Sequence, residues 1–308
     1  MIQVNRRHFL ATLAATAASS NCLPGNELQK IDVHTHFYDP TRSEGVDWPN
    51  PKDQLLYKPY LPADFTKVAA PHQVAQTVVV EASPRIDDNF WLLKLAEKNS
   101  NILSIVGRLP VGGEQFTAPL QKLKNQPKFV GIRQNAGEIK RVWETRLAKQ
   151  HLLLLIDHQI SLDLNGGLDC LHMAKELGTI FPKLRIIVNH VGNVRIDGKS
   201  PPADWVKAID GLTDLPNVAC KISALVEGSG KSDGTAPTEM KYYHGVISHV
   251  VDRFGENRIM FGSNWPVCLR FASYKTVHNI VDQFMQGQCE RCQALFFREN
   301  ALKWYQKP

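Results

Sequence analysis

KIDVHTH, residues 30–36, is the stretch on which the fold turns. Ile31 and Val33 begin a short apolar strand, and His34 and His36 end it. Alternate residues of a strand leave it on the same side, so both imidazoles can face one point. An apolar strand with its polar groups gathered at the carboxyl end is what an α/β barrel needs, because sites in that fold are built on the C-terminal face.

The rest of the chain repeats the pattern. Further strand-like runs are QTVVVE (76–81), ILSIVGR (102–108), FVGIRQ (129–134), ISLDLNG (160–166), LRIIVNH (184–190), NVACKIS (217–223) and RIMFGS (258–263). The early ones are Val- and Ile-rich with little alternation, as expected of parallel strands buried on both faces. Helical patterns separate most of them. DDNFWLLKLAEKN (87–99) opens on Asp, KRVWETRLAKQHLLLLIDH (140–158) reads as one helix, and DCLHMAKELGTIF (169–181) as another. Eight strand–helix units between residues 28 and 308 predict a single (β/α)8 TIM-like barrel, near the ~250 residues usual for that fold. An open doubly wound sheet is the alternative, but no GxGxxG or Walker-type loop follows an early strand, so nucleotide binding has no support. Residues 37–63, Pro-rich and aromatic, follow the first strand and would lie over the barrel mouth as a lid.

The strand ends supply the candidate chemistry. They carry His34 and His36, Glu81, Arg133, Asp163 with Asn165, His190, Lys221 with Ser223, and Asn264. A lone strand histidine is usually a hydrogen-bonded core residue. A His-x-His with a further His190 five strands on is harder to explain as packing. Glu81 and Lys221 read equally as a buried ion pair or as substrate contacts. Arg133 reads as a brace or as a bidentate clamp for substrate oxygens. Trp91 and Trp143 fall on helical stripes and read as packing, and His72, His151, His158 and His172 carry no predicted chemistry.

The bulk numbers exclude several classes. In 308 residues a net charge of +6, spread without a basic block, gives no nucleic-acid footprint. Residues 1–22 differ in kind: Arg6 and Arg7 precede an apolar Ala/Leu stretch and then small residues, as in a twin-arginine export signal. The apolar stretch is shorter than the ~20 residues needed to span a bilayer. These features predict export to the periplasm and no membrane-spanning segment. Cys289 and Cys292 form a CxxC in a helical, polar context with no second CxxC, which reads as a structural pair or free thiols.

Taken together, IDVHTHFYDP, NFWLLKLAEKN, FVGIRQ, RIIVNHVGN, NVACKIS and RIMFGSNWPVC resemble the amidohydrolase-2 branch of the amidohydrolase superfamily. Within it they are most similar to the lactonase-like group of L-fuconolactone hydrolases and 2-pyrone-4,6-dicarboxylate lactonases. The resemblance runs from about residue 29 to 305 and implies a distorted (β/α)8 barrel acting on a small-molecule lactone or sugar acid. It implies that His34, His36 and His190 hold a divalent ion such as zinc or, in metal-free lactonases, polarise the carbonyl. It implies that Arg133 contacts anionic or lactone oxygens; Glu81, Asn165 and Lys221 are expected as further substrate contacts from their places at the strand ends. The group's strand-eight signature reads Gly-Ser-Asp-Trp-Pro, whereas this chain has Asn264 at the Asp position. An amide cannot take a proton from water, and it is a weaker ligand than a carboxylate. Three readings follow. One is a lactone hydrolase whose base is His190, Glu81 or Asp163, with His190 foremost and Asn264 orienting water or substrate. Another is a metal-dependent decarboxylase or amidohydrolase. The third is a catalytically attenuated barrel that binds a small ligand.

Overall fold

A computed structural model describes residues 28–307. The export signal assigned to residues 1–22 lies outside the described residues. Eight parallel strands follow one another around a barrel in chain order. They are β1 (Lys30–Thr35), β2 (Val74–Val80), β3 (Ile102–Gly107), β4 (Phe129–Asn135), β5 (Ser161–Asn165), β6 (Ile186–Val188), β7 (Val218–Ile222) and β8 (Ile259–Phe261). All eight strands expected from the sequence are present, each within a few residues of its expected bounds.

The barrel is distorted where it closes. β6 and β8 have only three residues each, and the seam between β1 and the end of β8 is held by His36 N–H to Trp265 O and Asn264 N–H to His34 O, both 2.8 Å. β1 also slips register against β2 between Asp32 and Thr35. A bulge of this kind re-aims side chains at a barrel rim. Here the Asp32 carboxylate pins it, accepting the backbone N–H groups of His34 (3.0 Å) and Ser263 (2.9 Å) and the Tyr274 hydroxyl (3.2 Å).

The two cores are distinct. Ile31, Val33, Val78, Val80, Val106, Val130, Ile187, Ala219 and Met260, drawn from seven strands, meet Trp304 and Tyr305 of the last helix, Asn300–Tyr305. Such a cluster can only fill the barrel interior, which the last helix plugs. A larger cluster packs the outer helices on the sheet. The helix Asp87–Lys98 starts where expected, with Asp87 and Asp88 in its first turn, where the helix dipole favours acids. The segment 140–158 is not one helix. A short helix ends at Lys140, and a second, Arg146–Asp157, starts afresh because the Thr145 hydroxyl caps Ala148 N–H. Trp143 therefore sits buried in a turn rather than on a helical stripe, and Trp91 is a half-buried platform under the Arg42 guanidinium. Among the described residues no helix is long and apolar enough to cross a membrane.

Candidate active site

The polar strand ends meet at one mouth. A cavity of about 240 Å³ is lined by His36, Trp48, Ala82, Arg133, His190, Asn264 and Val267. A second hollow of about 220 Å³ shares Ala82 and Arg133 and adds Glu81, Asn165 and Arg108. The first is below the ~300–1,000 Å³ of drug-sized sites, so it suits a molecule of one small ring. Trp48 comes from the segment 37–63, which does cover the mouth. It stands 6.2 Å, ring to ring, from His36, and its segment is tied down by Arg42–Asp88 (2.8 Å) and by Arg270–Asp53.

The three histidines form one cluster, edge-on between His34 and His36 and tilted between His34 and His190. His34 lies 5.0 Å from His36 and 4.3 Å from His190 between ring centroids. Burial holds all three below the ordinary imidazole value. For His34, neighbouring His190 and Lys221 add to the effect; His36 is brought down to about 3 with help from Arg133; His190 is lowered by burial and Arg133. All three are thus neutral at physiological pH, and their hydrogen bonds set which nitrogen carries the proton. His36 Nδ1 faces Val80 O at 2.9 Å, so it is the protonated nitrogen. His34 Nδ1 faces the Lys221 ammonium at 3.3 Å, which can only donate, so His34 carries its proton on Nε2. That Nε2–H is fully buried with no partner. His190 Nδ1 lies 2.9 Å from the Ser223 hydroxyl, which can accept or donate, so its Nε2 can serve as acid or base. His190 itself has φ 58°. A left-handed conformation is costly for such a side chain, and its survival marks a place where the fold holds an aim.

The two cation–carboxylate pairs differ from the Glu81–Lys221 option. Lys221 is fully buried and pairs with Asp163 at 2.7 Å. Asp163 also accepts the Tyr305 hydroxyl at 2.7 Å. Lys221 does not line the cavity. It stands behind His34, so its expected substrate contact is corrected to a contact with the imidazole. Glu81 pairs with Arg133 instead: Nε donates to Glu81 Oε1 (2.9 Å) and Nη2 to Glu81 O (2.8 Å), leaving Nη1 for the cavity. Asn165 is half-buried in the adjoining hollow.

Asn264 sits at the lip with φ 60°. Its side chain lies between His36 Nε2 (Oδ1 at 3.2 Å) and Glu227 Oε1 (Nδ2 at 2.9 Å). Glu227, in the short helix Leu225–Gly228 after β7, is a site residue that sequence reading missed. That helix is a single turn, and only its position behind Asn264 distinguishes Glu227 from a surface acid. Burial raises its carboxyl to about 7, against the opposing hydrogen bond from Asn264.

A resident divalent ion does not fit this arrangement. The protonated His34 Nε2 has no lone pair for a metal, and its Nδ1 is held by Lys221. His36 gives its Nδ1–H to Val80 O and keeps one lone pair at Nε2, which its β1 neighbour His34 cannot complement. Among the described residues, the side chains with three ligand atoms within 4.8 Å of one another are Glu256, Cys289 and Cys292, far from the mouth in sequence. Those two cysteines are joined as a disulfide, the structural pair that was one of the two sequence readings.

Known proteins share this chain's sequence pattern and its fold. L-fucono-1,5-lactonase from Burkholderia ambifaria is 28% identical over 287 residues, 90% of this chain and 95% of that protein. The same fold is seen in an amidohydrolase from Burkholderia multivorans with bound zinc (TM-score 0.79, 23% identity, 90% of this chain and 98% of that one). It is seen again in a probable 2-pyrone-4,6-dicarboxylic acid hydrolase from Acinetobacter baumannii with citric acid bound (TM-score 0.71, 16% identity, 90% and 99%). The amidohydrolase family model matches residues 31–307, and with the barrel and its histidine-lined mouth in place, the chain belongs to the amidohydrolase family.

Proposed function

We propose that the protein hydrolyses a small lactone, of the sugar 1,5-lactone class, with water as nucleophile and no metal in the catalytic step. The observation that carries this reading is the unpartnered, buried Nε2–H of His34 in a cluster of neutral imidazoles, two of which line a cavity the size of one ring. His34 stands behind the cavity wall formed by His36 and His190 rather than in it. As substrate enters, that N–H is exposed between them and donates to the lactone carbonyl oxygen, stabilising the charge that grows on it, the role in which one donor is worth roughly 10²–10³-fold in rate. Arg133 Nη1, with Glu81 bracing the other edge of the guanidinium, holds substrate oxygens. His190, with its Nδ1–H donated to Ser223, takes the proton of the attacking water at Nε2 and returns it to the ring oxygen as the acyl–oxygen bond breaks. The product is the open hydroxy acid. An imidazole of lowered pKa is a weak base, which a strained ester tolerates better than an amide does.

The lactonase relatives support the substrate class, and the twin-arginine stretch supports action in the periplasm. The test is turnover of a panel of aldono-1,4- and 1,5-lactones, with L-fucono-1,5-lactone included, before and after exhaustive chelation. Turnover that survives chelation is the expected result. Activity restored only by added zinc would overturn the metal-free step. Tight binding of sugar acids with no turnover would overturn the hydrolase reading in favour of a binding barrel.

A further inference from the structure

Three side chains in a row, His36, Asn264 and Glu227, cannot all keep the donor and acceptor roles that their simplest arrangement implies. Val80 O requires a proton on His36 Nδ1. A neutral His36 then offers a lone pair at Nε2, and the atom 3.2 Å from it must be a donor. The amide nitrogen of Asn264 is a donor and its oxygen is not, and the two are told apart by the hydrogen bonds they make. With the NH2 turned toward His36, the amide oxygen meets Glu227 Oε1, and two acceptors cannot bond unless the carboxyl carries a proton.

We infer that Glu227 stands in the site as a neutral carboxylic acid, donating to the Asn264 carbonyl oxygen so that the Asn264 amide donates to His36 Nε2 and fixes that imidazole's tautomer. Glu227 is thus a positioning residue, acting on the mouth through Asn264. Two independent observations agree. Glu227 Oε2 is shut off from solvent without a partner, which a neutral carbonyl oxygen tolerates far better than half of a carboxylate does. No Lys, Arg or His makes an ion pair with Glu227 among the described residues. The titratable groups that face it are the Tyr243 phenol, from the helix Met240–Phe254, and the Cys268 thiol, beyond β8; both are neutral at physiological pH. The shifted acidities point the same way, with Glu227 raised to about 7 and His36 lowered to about 3, so a proton shared between them rests on Glu227.

The arrangement gives the site a built-in response to pH. As pH rises through about 7, Glu227 loses its proton to solvent, and the carboxylate draws the Asn264 NH2 to itself. The amide oxygen then faces His36 Nε2 and competes with Val80 O for the ring proton, so a single tautomer is no longer enforced. The residue that replaces the strand-eight carboxylate is therefore not a vacancy: the acid stands one residue further back and works in its protonated form.

Glu227→Gln tests this, since Gln is a permanent neutral donor. The first readout is the ¹⁵N shift of the His36 ring, assigned by difference with His36→Gln, followed from pH 5 to 9. In the wild type His36 Nε2 is expected to be unprotonated below pH 7 and to lose its single tautomer above it, while Glu227→Gln keeps the low-pH spectrum throughout. The second readout, which rests on the lactonase reading, is kcat/KM against pH. The wild type is expected to fall about tenfold per unit above the Glu227 transition, and Glu227→Gln to give a profile from which that limb is missing. A proton on His36 Nε2 in the wild type at pH 6, or an unchanged transition in Glu227→Gln, overturns the inference. Absence of turnover with the expected ring spectra would sink the lactonase reading alone.

Discussion

Replacing Lys221 by Met removes the ammonium that stands between Asp163 and His34. Its partner would remain as a buried carboxylate, fully enclosed and without a cation. Breaking a buried pair in this way typically costs about 3–5 kcal/mol. Tyr305 still donates to Asp163 at 2.7 Å, which moves the expected loss to the lower end, about 3 kcal/mol. That is a large part of the ~5–15 kcal/mol a domain has, and urea unfolding followed by tryptophan fluorescence would show it as a lower midpoint at unchanged slope. The paired variant Lys221→Met/Asp163→Asn removes both charges and keeps an acceptor for Tyr305, so it should return to within about 1.5 kcal/mol of wild type. Its turnover should not return. Without the ammonium behind it, the His34 Nε2–H is both less acidic and no longer fixed, a part of the ~10²–10³-fold that losing such a donor costs, or about tenfold in kcat. The initial-rate assay uses a pH indicator and L-fucono-1,5-lactone. A single variant that loses less than about 1 kcal/mol, or a double variant that regains wild-type kcat, would refute this account of Lys221.

Other expectations follow from the same geometry. His34→Gln should lower kcat by about 10²–10³-fold with little change in KM and an unaltered circular dichroism spectrum; a KM effect alone would move His34 from transition-state stabilisation to binding. Asn264→Asp should lose about tenfold or more in kcat/KM, because a carboxylate cannot donate to His36 Nε2; a large gain would make the wild-type site an attenuated form of the Asp-bearing one. Stability should carry the mark of Glu227. Its folded pKa is raised, so its stabilisation is full below the ordinary carboxyl value of 4.5 and is lost as pH rises through about 7. That is on the order of 3 kcal/mol between pH 4 and 8, which Glu227→Gln should remove from the urea midpoint profile. Finally, Arg6→Lys/Arg7→Lys in the full chain should retain the protein in the cytoplasmic fraction of a bacterial host; unchanged recovery from the periplasm would dismiss the twin-arginine reading.

The eight strands were legible because strands covered on both faces are written as uninterrupted Val and Ile runs, and because polar residues accumulate at one end of each. His36, His190, Arg133 and Asn264 could be placed at the mouth for that reason, and His34 directly behind them. Pairing across the mouth was not legible. Glu81 and Lys221 belong to different partners, Arg133 and Asp163, because which inward side chains meet depends on barrel tilt and stagger, and neither is written in a strand's own sequence. The break at Thr145 was hidden by apolar residues that keep helical spacing on both sides of it. Glu227 gave no signal at all, because a single acid in a one-turn helix is ordinary until the fold brings it behind Asn264.

Tyr305 has a consequence for timing. Its hydroxyl touches Asp163, which holds Lys221, which sets the proton of His34. β1, where the site begins, is made first, yet the group that completes its electrostatics is made some 270 residues later, in the helix that plugs the barrel. A nascent chain therefore has no finished site, however much of the barrel has formed. A chain cut before Asn300 would lose the plug and the Tyr305 hydroxyl together, so fragments left by interrupted synthesis or clipping would carry every residue of the mouth and still lack the fixed proton on His34.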